Sequence, residues 1–558
     1  MINNPIIRKE LLTSLRTRKA LAMQTIFLLA SGLLLWVLWP EGGMQAVGDR
    51  QAAKILSTLA IGELFMVALF APTFTAASLT MESEHNTLES LFATTLKPWE
   101  IAIGKMVGSL GFLMLLIVSG VPVLGAAFLL GGITIGQVVA VVGVLVMTGI
   151  YLGLIGMLVS TFMHRSYRAI IVAYAILMGI MGSAIIAWPQ SGNIMALAGE
   201  PWNSVLHVVA SLSPIQAMMS VVLSESEYVK PAVGMPPFWQ VFLVLSAIIS
   251  IFAAVAVMFK LRHPVPPPRP REKMKVVERG ISARSFFFLI DPRKRRRMIM
   301  WWQNPILVKE FRSRPMLQTH WLFRAISLTL IVSLLLVFLV SLSVQALVGQ
   351  GGDMIGKMIV AVAALMVVLV VFIGPAMSGG ALCGDRETGV WDLIRATRIS
   401  SWRIVTGKFQ ASVIPLLLLT IATLPSLGIM VYFRIESTMA VVKPLAVVGM
   451  TIAFVSSAGM FFSGLCSKTS VASAWTYAVM IGITMGSLLV LLAGDAMSDW
   501  FIRCILLVNP VAAAMDAAES PAMDGYNLWI PHLKIMAVAT IAMMFVSIVR
   551  VYQLRRAN

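Results

Sequence analysis

The sequence predicts an all-α membrane protein with twelve transmembrane helices, arranged as two six-helix halves that repeat in parallel. Composition, the length of the apolar runs and an internal repeat each support this class. Of the 558 residues, 58% are hydrophobic and only 12% are charged, and the mean hydropathy is +0.88. Soluble domains carry about 25% charged residues. The chain therefore has too few charges to cover the surface of a soluble protein.

Twelve apolar runs have lengths near the roughly 20 helical residues that cross a hydrocarbon core. In the first half they are 21–38, 59–79, 101–130, 137–162, 169–188 and 239–259; in the second they are 326–344, 359–382, 413–433, 445–465, 471–492 and 535–551. We accordingly divide the chain into a first half at 1–260, a Pro-rich and basic linker at 261–300, and a second half at 301–558.

An internal repeat relates the two halves at one register. A shift of 303 residues aligns Pro, Gly, Trp, Tyr and acidic positions as well as apolar ones. The pairs include Pro72 with Pro375, Glu84 with Glu387, Glu89 with Asp392, Trp99 with Trp402, Gly104-Lys105 with Gly407-Lys408, Gly156-Met157 with Gly459-Met460, and Tyr174 with Tyr477. Because six spans occur in each half, the repeat is of the parallel kind.

The positive charge predicts the orientation in the membrane. The net charge is +18, and most Lys and Arg residues fall on one side if both termini and the linker are cytoplasmic, which the positive-inside rule favours. We expect a multi-pass protein of the inner (plasma) membrane with both termini in the cytoplasm. The basic run at 293–297 is interpreted as contacting anionic lipid headgroups, and no nucleic-acid partner is expected.

No catalytic motif is found in the sequence. The nearest match to a phosphate-binding loop, at 351–358, ends in Met358 where a Ser or Thr is needed. The six histidines lack metal-ligand spacing. We expect no catalytic, cofactor or metal site in this chain. Glu63 is the one plausible carboxylate within a span; its repeat partner is Met366, and we interpret it as an interfacial residue that faces water.

The informative polar segments follow the second span of each half. In 82–100, Leu88, Leu91, Phe92 and Thr95 share one helical face. Acidic residues open this segment, as suits a helix N-terminus, and Pro98 ends it. Residues 385–395 have a similar layout. These helices could be merely interfacial, but the positions common to both copies favour docking to a partner protein.

The stretch from Glu84 to Lys105 closely resembles the signature of type-2 ABC exporter permeases. The second half matches at Glu387, Asp392, 396–397, Trp402, Ile404 and 407–408, and departs at Ser401 and Arg403. Asn4-Pro5 with Lys9-Glu10, and Asn304-Pro305 with Lys309-Glu310, are similar to the amphipathic elbow helix of the family. Ser213-Pro214 and Asn509-Pro510 are similar to its external helical hairpin.

The resemblance implies two ATP-binding-cassette ATPase subunits, identical or different, on the cytoplasmic face. ATP and magnesium would bind to those subunits and not to this chain. The residues expected to dock them are Glu84, Thr87, Leu88, Glu89, Leu91 and Phe92 in the first half, and Glu387, Trp391, Asp392, Ile394 and Arg395 in the second. The chain would be the permease of an exporter that moves substrate out of the cytoplasm or inner leaflet.

Two other functions stay open from the sequence. An ion-coupled secondary transporter can also have two six-span halves, although the scarcity of carboxylates in the spans argues against it. A membrane scaffold or regulator that is driven by an ATPase partner but transports nothing is not excluded. The sequence does not identify a substrate.

Overall fold

The structure, a computed structural model, describes residues 5–15, 18–38, 49–84, 98–128, 133–163, 166–184, 202–222, 234–262, 303–313, 319–345, 354–433, 438–493 and 499–556. Within these ranges all regular secondary structure is helical, and no strand is present. The predicted all-α class is therefore confirmed. The predicted linker lies almost entirely outside the described residues.

The helices follow the same order in both halves. Those of the first half are α1 (Pro5–Leu15), α2 (Arg18–Leu38), α3 (Asp49–Thr75), α4 (Ser78–Glu84), α5 (Pro98–Phe128), α6 (Ile135–Phe162), α7 (Ser166–Gly182), α8 (Trp202–Ala210), α9 (Pro214–Val222) and α10 (Phe238–Arg262). Those of the second half are α11 (Pro305–Ser313), α12 (Thr319–Gln345), α13 (Met354–Ser378), α14 (Cys383–Glu387), α15 (Val390–Arg395), α16 (Ser401–Ile421), α17 (Leu424–Phe433), α18 (Thr438–Leu465), α19 (Thr469–Ile481), α20 (Ser487–Ala493), α21 (Asp499–Leu506), α22 (Pro510–Ala517) and α23 (Trp529–Arg556). A π-helical turn, Gly482–Gly486, separates α19 from α20.

Among the described residues, 8 helices are long and apolar enough to cross a membrane, or up to 10 if each of two bent pairs is one span. Each predicted span overlaps a helix. The apolar helices Gln24–Trp36, Arg168–Gly182 and Phe323–Leu335 are shorter than this criterion requires. The number twelve therefore stays a prediction.

The two bent pairs coincide with the predicted hairpins. α8 and α9 meet at 97°, and the second pair, α21 and α22, is bent by 103°. In both, a proline begins the second helix, where its missing N–H costs no hydrogen bond. The side chain of Asn509 accepts hydrogen bonds from the amides of Val511 and Ala512 and so caps α22.

The chain divides into two compact units: Met1–Pro264 with Ser343–Gln350 and Met485–Ile505, and Val265–Leu342 with Gly351–Thr484 and Leu506–Asn558. In the first unit, α3 packs against α5 and α6, and α6 against α10. In the second unit, α18 packs against both α13 and α23. The domain boundaries at 260 and 300 stay predictions.

The internal repeat extends to side-chain hydrogen bonds. The hydroxyl of Tyr174 donates to the carbonyl of Leu69 over 2.7 Å, and that of Tyr477 donates to the carbonyl of Phe372 over 2.9 Å. All four residues obey the 303-residue register. The two halves therefore share tertiary contacts as well as sequence.

A repeated glycine explains one close helix contact in each unit. A Cβ added at Gly156 in α6 would overlap the hydroxyl oxygen of Thr75, and one added at Gly459 in α18 would overlap that of Ser378. Only glycine leaves room for this approach, because any other side chain would collide with the neighbouring helix. The match of Gly156 with Gly459 in the sequence thus has a packing cause.

Candidate functional site

A short acidic helix follows the second predicted span in each half: α4 in the first and α14 in the second. A serine on the fourth predicted span accepts hydrogen bonds from the backbone amides at the start of this helix. Ser160 Oγ accepts from the amides of Leu79 and Thr80 over 3.1 and 3.0 Å. Ser463 Oγ accepts from those of Leu382 and Cys383 over 2.8 and 3.0 Å. Such short helices are unstable alone, so these bonds help to hold them in place.

The first carboxylate of the acidic helix binds a buried lysine on the helix that contains the start of the third predicted span. In the second half, Lys408 Nζ lies 2.6 Å from Asp385 Oδ2 and 2.8 Å from Glu310 Oε1. The Lys408 side chain is 0% exposed, and it also donates to the carbonyl of Ala381. Lys309 Nζ lies 2.7 Å from the other oxygen of Asp385. We call Glu310, Lys309, Asp385 and Lys408 the second lysine cluster.

The first half contains the matching arrangement, which we call the first lysine cluster. Lys105 Nζ lies 2.7 Å from Glu10 Oε1 and 2.7 Å from Glu82 Oε1. α1 lies close to α5 at the same place, because an added Cβ at Gly104 would come within 2.6 Å of Ile6. In both halves the lysine therefore joins three helices: the short N-terminal helix, the acidic helix and its own helix, α5 or α16.

The second carboxylate caps the helix of the fifth predicted span. Glu387 accepts from the amide and the hydroxyl of Thr469 over 2.9 and 2.8 Å. Glu84 accepts from the amide and the hydroxyl of Ser166 over the same two distances. Thr469 and Ser166 are the first residues of α19 and α7. A carboxylate at this position satisfies a free helix N–H and complements the helix dipole.

A glycine turn separates the acidic helix from α15 in the second half. Gly389 has φ +70°, in the left-handed region. α15 then places Trp391 and Ile394 in a buried core whose other members come from α11, α16, α18, α23 and the turn between α13 and α14: Ile306, Ala381, Leu382, Ile404, Val405, Met460 and Val551. The inward face of α15 is thus occupied by the chain itself.

The outward face of α15 carries Asp392 and Leu393. Leu393 is 72% exposed, and Asp392 is also exposed. This changes which of the predicted docking residues are available. Trp391 and Ile394 are each only 7% exposed, and Arg395 is half-buried. Leu393, which the prediction omitted, is the apolar side chain of this helix that faces outward. Docking itself stays a prediction.

In the first half, the predicted residues Thr87, Leu88, Glu89, Leu91 and Phe92 lie outside the described residues. The 303-residue register aligns Leu88 with Trp391 and Leu91 with Ile394, the two inward positions of α15. Leu393 aligns with Ser90. The outward position that is apolar in the second half is therefore polar in the first.

The last helix also binds the loop that follows α15. Arg555 in α23 donates to the carbonyls of Thr397 and Ile399. Since these carbonyls directly follow a helix C-terminus, a guanidinium satisfies acceptors that have no partner within the helix. The surface helix α15 is therefore held by side chains from several spans of its own unit.

The interpretation of Glu63 as a residue that faces water was wrong. Its exposed fraction is 2%, and neither carboxylate oxygen has a hydrogen-bond partner within the described part of the chain. An added Cβ at Gly120 in α5 would come within 2.7 Å of Glu63 Oε1. Glu63 is thus buried between α3 and α5. Among the described residues, no group of His, Cys, Asp and Glu could hold a metal ion.

Sequence reasoning missed the partners that hold the acidic helices. It aligned Lys105 with Lys408 and Glu10 with Glu310 in the repeat, but it did not predict that each lysine forms an ion pair with the glutamate of its own half. A signal was present: Glu82 with Asp385, Ser160 with Ser463 and Ser166 with Thr469 all conserve their chemistry at the register of the repeat. A polar residue that recurs at the same position of both halves predicts a hydrogen bond or ion pair that both halves make within the chain.

These features define a multi-pass helical membrane protein with two similar halves and, in the second half, a short helix with one exposed face. A family model described as ABC-2 family transporter protein matches residues 45–260 and 355–549. These two regions cover most of the chain, one in each half, and the chain belongs to this family. It is a transmembrane permease component of an ABC transporter, which implies ATP-binding-cassette ATPase partners. No curated protein matches the chain.

Proposed function

We propose that the chain is the complete membrane part of an ABC exporter, with its two halves fused. Two ATPase subunits, identical or different, bind its cytoplasmic face and hydrolyse ATP. The chain moves substrate out of the cytoplasm or inner leaflet of the inner membrane. Membership of the permease family supports this proposal, and so does the occurrence of the family match in each half.

The geometry of α15 is the observation that supports the proposal best. A docking helix must offer an exposed side to its partner and transmit the partner's movement to the membrane spans. α15 has Asp392 and Leu393 exposed, while Trp391 and Ile394 contact side chains from α11, α16, α18 and α23. A force on its outer face would therefore reach several helices of the second unit, because protein interiors are close-packed and transmit strain.

The test uses Leu393→Asp and measures binding of the ATP-binding-cassette ATPase that co-purifies with the wild-type chain. The variant would place an unpaired carboxylate in the interface, which costs about 2 kcal/mol or more, so ATPase affinity should fall by more than about tenfold. Tyr552→Ala, which removes another exposed side chain of the second unit, is the control and should leave affinity unchanged. Unchanged affinity in Leu393→Asp would remove α15 from the interface.

Buried Glu63 favours one second candidate, an ion-coupled secondary transporter, because a carboxylate within the membrane often serves ion binding. Glu63→Met, which installs the residue of the repeat partner Met366, separates the two. If the chain works as an ATP-driven permease, the complex of Glu63→Met with the ATPase should still hydrolyse ATP at the rate of the wild-type complex. Uptake into vesicles that requires an ion gradient and no ATP, and that is lost in Glu63→Met, would establish the alternative.

A further inference from the structure

Each acidic helix binds two different spans through carboxylates two residues apart. Asp385 binds Lys408 in α16, the helix of the third predicted span, and Glu387 binds Thr469 at the start of α19, the helix of the fifth. In the first half, Glu82 and Glu84 make the same two connections to Lys105 and Ser166. The pattern thus occurs twice in independent parts of the chain.

Glu387 and Glu84 were predicted to dock the ATPase, but their carboxylates are already used within the chain. Both oxygens of each accept a hydrogen bond from the first residue of the next helix. Bonds to an ionised carboxylate are about twice as strong as those between neutral groups. Both carboxylates are exposed and keep further acceptor sites, but a partner that drew one away from the next helix would break both bonds.

The acidic helix lies directly before the surface helix in the chain. Only Thr388 and Gly389 separate α14 from α15. α14 is 5 residues long, too short to be stable by itself. Its position is therefore set by its bonds to Ser463, Lys408 and Thr469. A displacement of α15 must pass along α14 to these partners or break the bonds.

We propose that Glu387 and Glu84 are positioning residues that tie the acidic helices α14 and α4 to the starts of α19 and α7, and not contacts of the ATPase. In the second half, Glu387 and Asp385 then make α16 and α19 move together with α15. This proposal rests on the proposed function, and it adds the path by which ATPase movement enters the permease.

The key variant changes Thr469, the donor of the hydrogen bonds to Glu387, and leaves Glu387 itself in place. Thr469 is the first residue of α19, and Lys468 before it is extended, with φ −113° and ψ 136°. Proline is well tolerated at a first helical position and favours an extended residue before it. Thr469→Pro therefore removes both donors to Glu387 while preserving the helix start. Glu387→Ala removes the acceptors, and Glu387→Gln keeps one carbonyl oxygen for the amide.

The first readout is hydrogen exchange of the chain without ATPase. Loss of hydrogen bonds to a charged group should increase local opening of α14 and the first turn of α19 by about tenfold or more. Glu387→Ala, Thr469→Pro and the double variant should show the same increase, because they break one interaction. Glu387→Gln should restore part of the protection. Ser470→Ala, next to Thr469 in α19, is the matched control and should resemble the wild type.

The second readout uses the complex with the ATPase that co-purifies with the wild-type chain, trapped with ATP and vanadate. We expect Thr469→Pro and Glu387→Ala to bind the ATPase within about twofold of the wild type, since neither touches the interface. In the wild type, nucleotide should change exchange at both α16 and α19. In the two variants the change at α19 should be lost while that at α16 persists.

Two outcomes would overturn the proposal. If Glu387→Ala weakens ATPase binding and Thr469→Pro does not, Glu387 is a docking residue. If both variants retain the nucleotide response of α19, the bond does not transmit movement. A wild-type chain that binds no ATPase would instead refute the proposed function, whereas the exchange comparison without ATPase would still report on the bond.

Discussion

At the scale of single residues, the two lysine clusters bury several charged groups together. Lys408 is fully buried with Glu310, which is 1% exposed, and Asp385, which is 13% exposed. Desolvating these charges is costly, and the cost is offset only while every partner is present. The first lysine cluster is less enclosed, because Glu10 and Glu82 are 24% and 20% exposed.

Lys408→Met should therefore lower the stability of the chain by about 3–5 kcal/mol, because it leaves Glu310 and Asp385 partly uncompensated. Unfolding of the purified chain in detergent by a denaturing detergent measures this. Lys443→Met breaks the exposed pair with Glu519 and should cost only about 0–1 kcal/mol. Equal losses in the two variants would show that the buried cluster contributes no more than a surface ion pair.

At the scale of helices, the close contact between spans two and four of the second half requires glycine at position 459 of α18 but not at position 449. A Cβ on Gly459 would overlap Ser378, whereas one on Gly449 in the same helix would meet nothing within 4 Å. The two positions therefore separate the packing role of glycine from its effect on helix stability.

Gly459→Ala should destabilise the chain by about 1–3 kcal/mol through overpacking. Gly449→Ala should be neutral or stabilise it by up to about 1 kcal/mol, because alanine favours the helix. Thermal unfolding midpoints of the two variants in the same detergent provide the comparison. A lower midpoint for Gly449→Ala than for Gly459→Ala would contradict the packing of α18 against the end of α13.

At the scale of the whole molecule, orientation in the membrane is the main prediction left to test. The positive-inside rule places both termini and the linker around Arg295 in the cytoplasm. It places Gly199, Glu225 and Asp524 outside. Of these four positions, only Asp524 lies in the described part of the chain, where it is exposed.

Single cysteines at these four positions, in a chain with Cys383, Cys466 and Cys504 replaced, should separate into two classes. A thiol reagent that cannot cross the membrane should label Gly199→Cys, Glu225→Cys and Asp524→Cys in intact cells. It should label Arg295→Cys only after the cells are opened. Labelling of Arg295→Cys from outside would invert the topology and put α15 on the wrong side for an ATPase.

The sequence by itself determined the helical membrane class, the register of the repeat and the segments after span two as candidate docking sites. These follow from composition, from apolar run lengths and from residues that recur at one spacing. The family match in each half agrees with that reading. Glu63 was the exception, because run length and position do not say which side of a helix is covered.

Only the tertiary structure decided which side chains of the docking segments are free. Helical periodicity divides α15 into two faces, but it cannot say which face the protein covers. Trp391 is buried because distant residues such as Val551 reach it, and Glu387 is bound by a residue 82 positions later in the chain. Contacts of this kind depend on how the helices come together. The local pattern therefore predicted Trp391 and Ile394 for docking, and only the packing shows that Leu393 is the exposed apolar side chain.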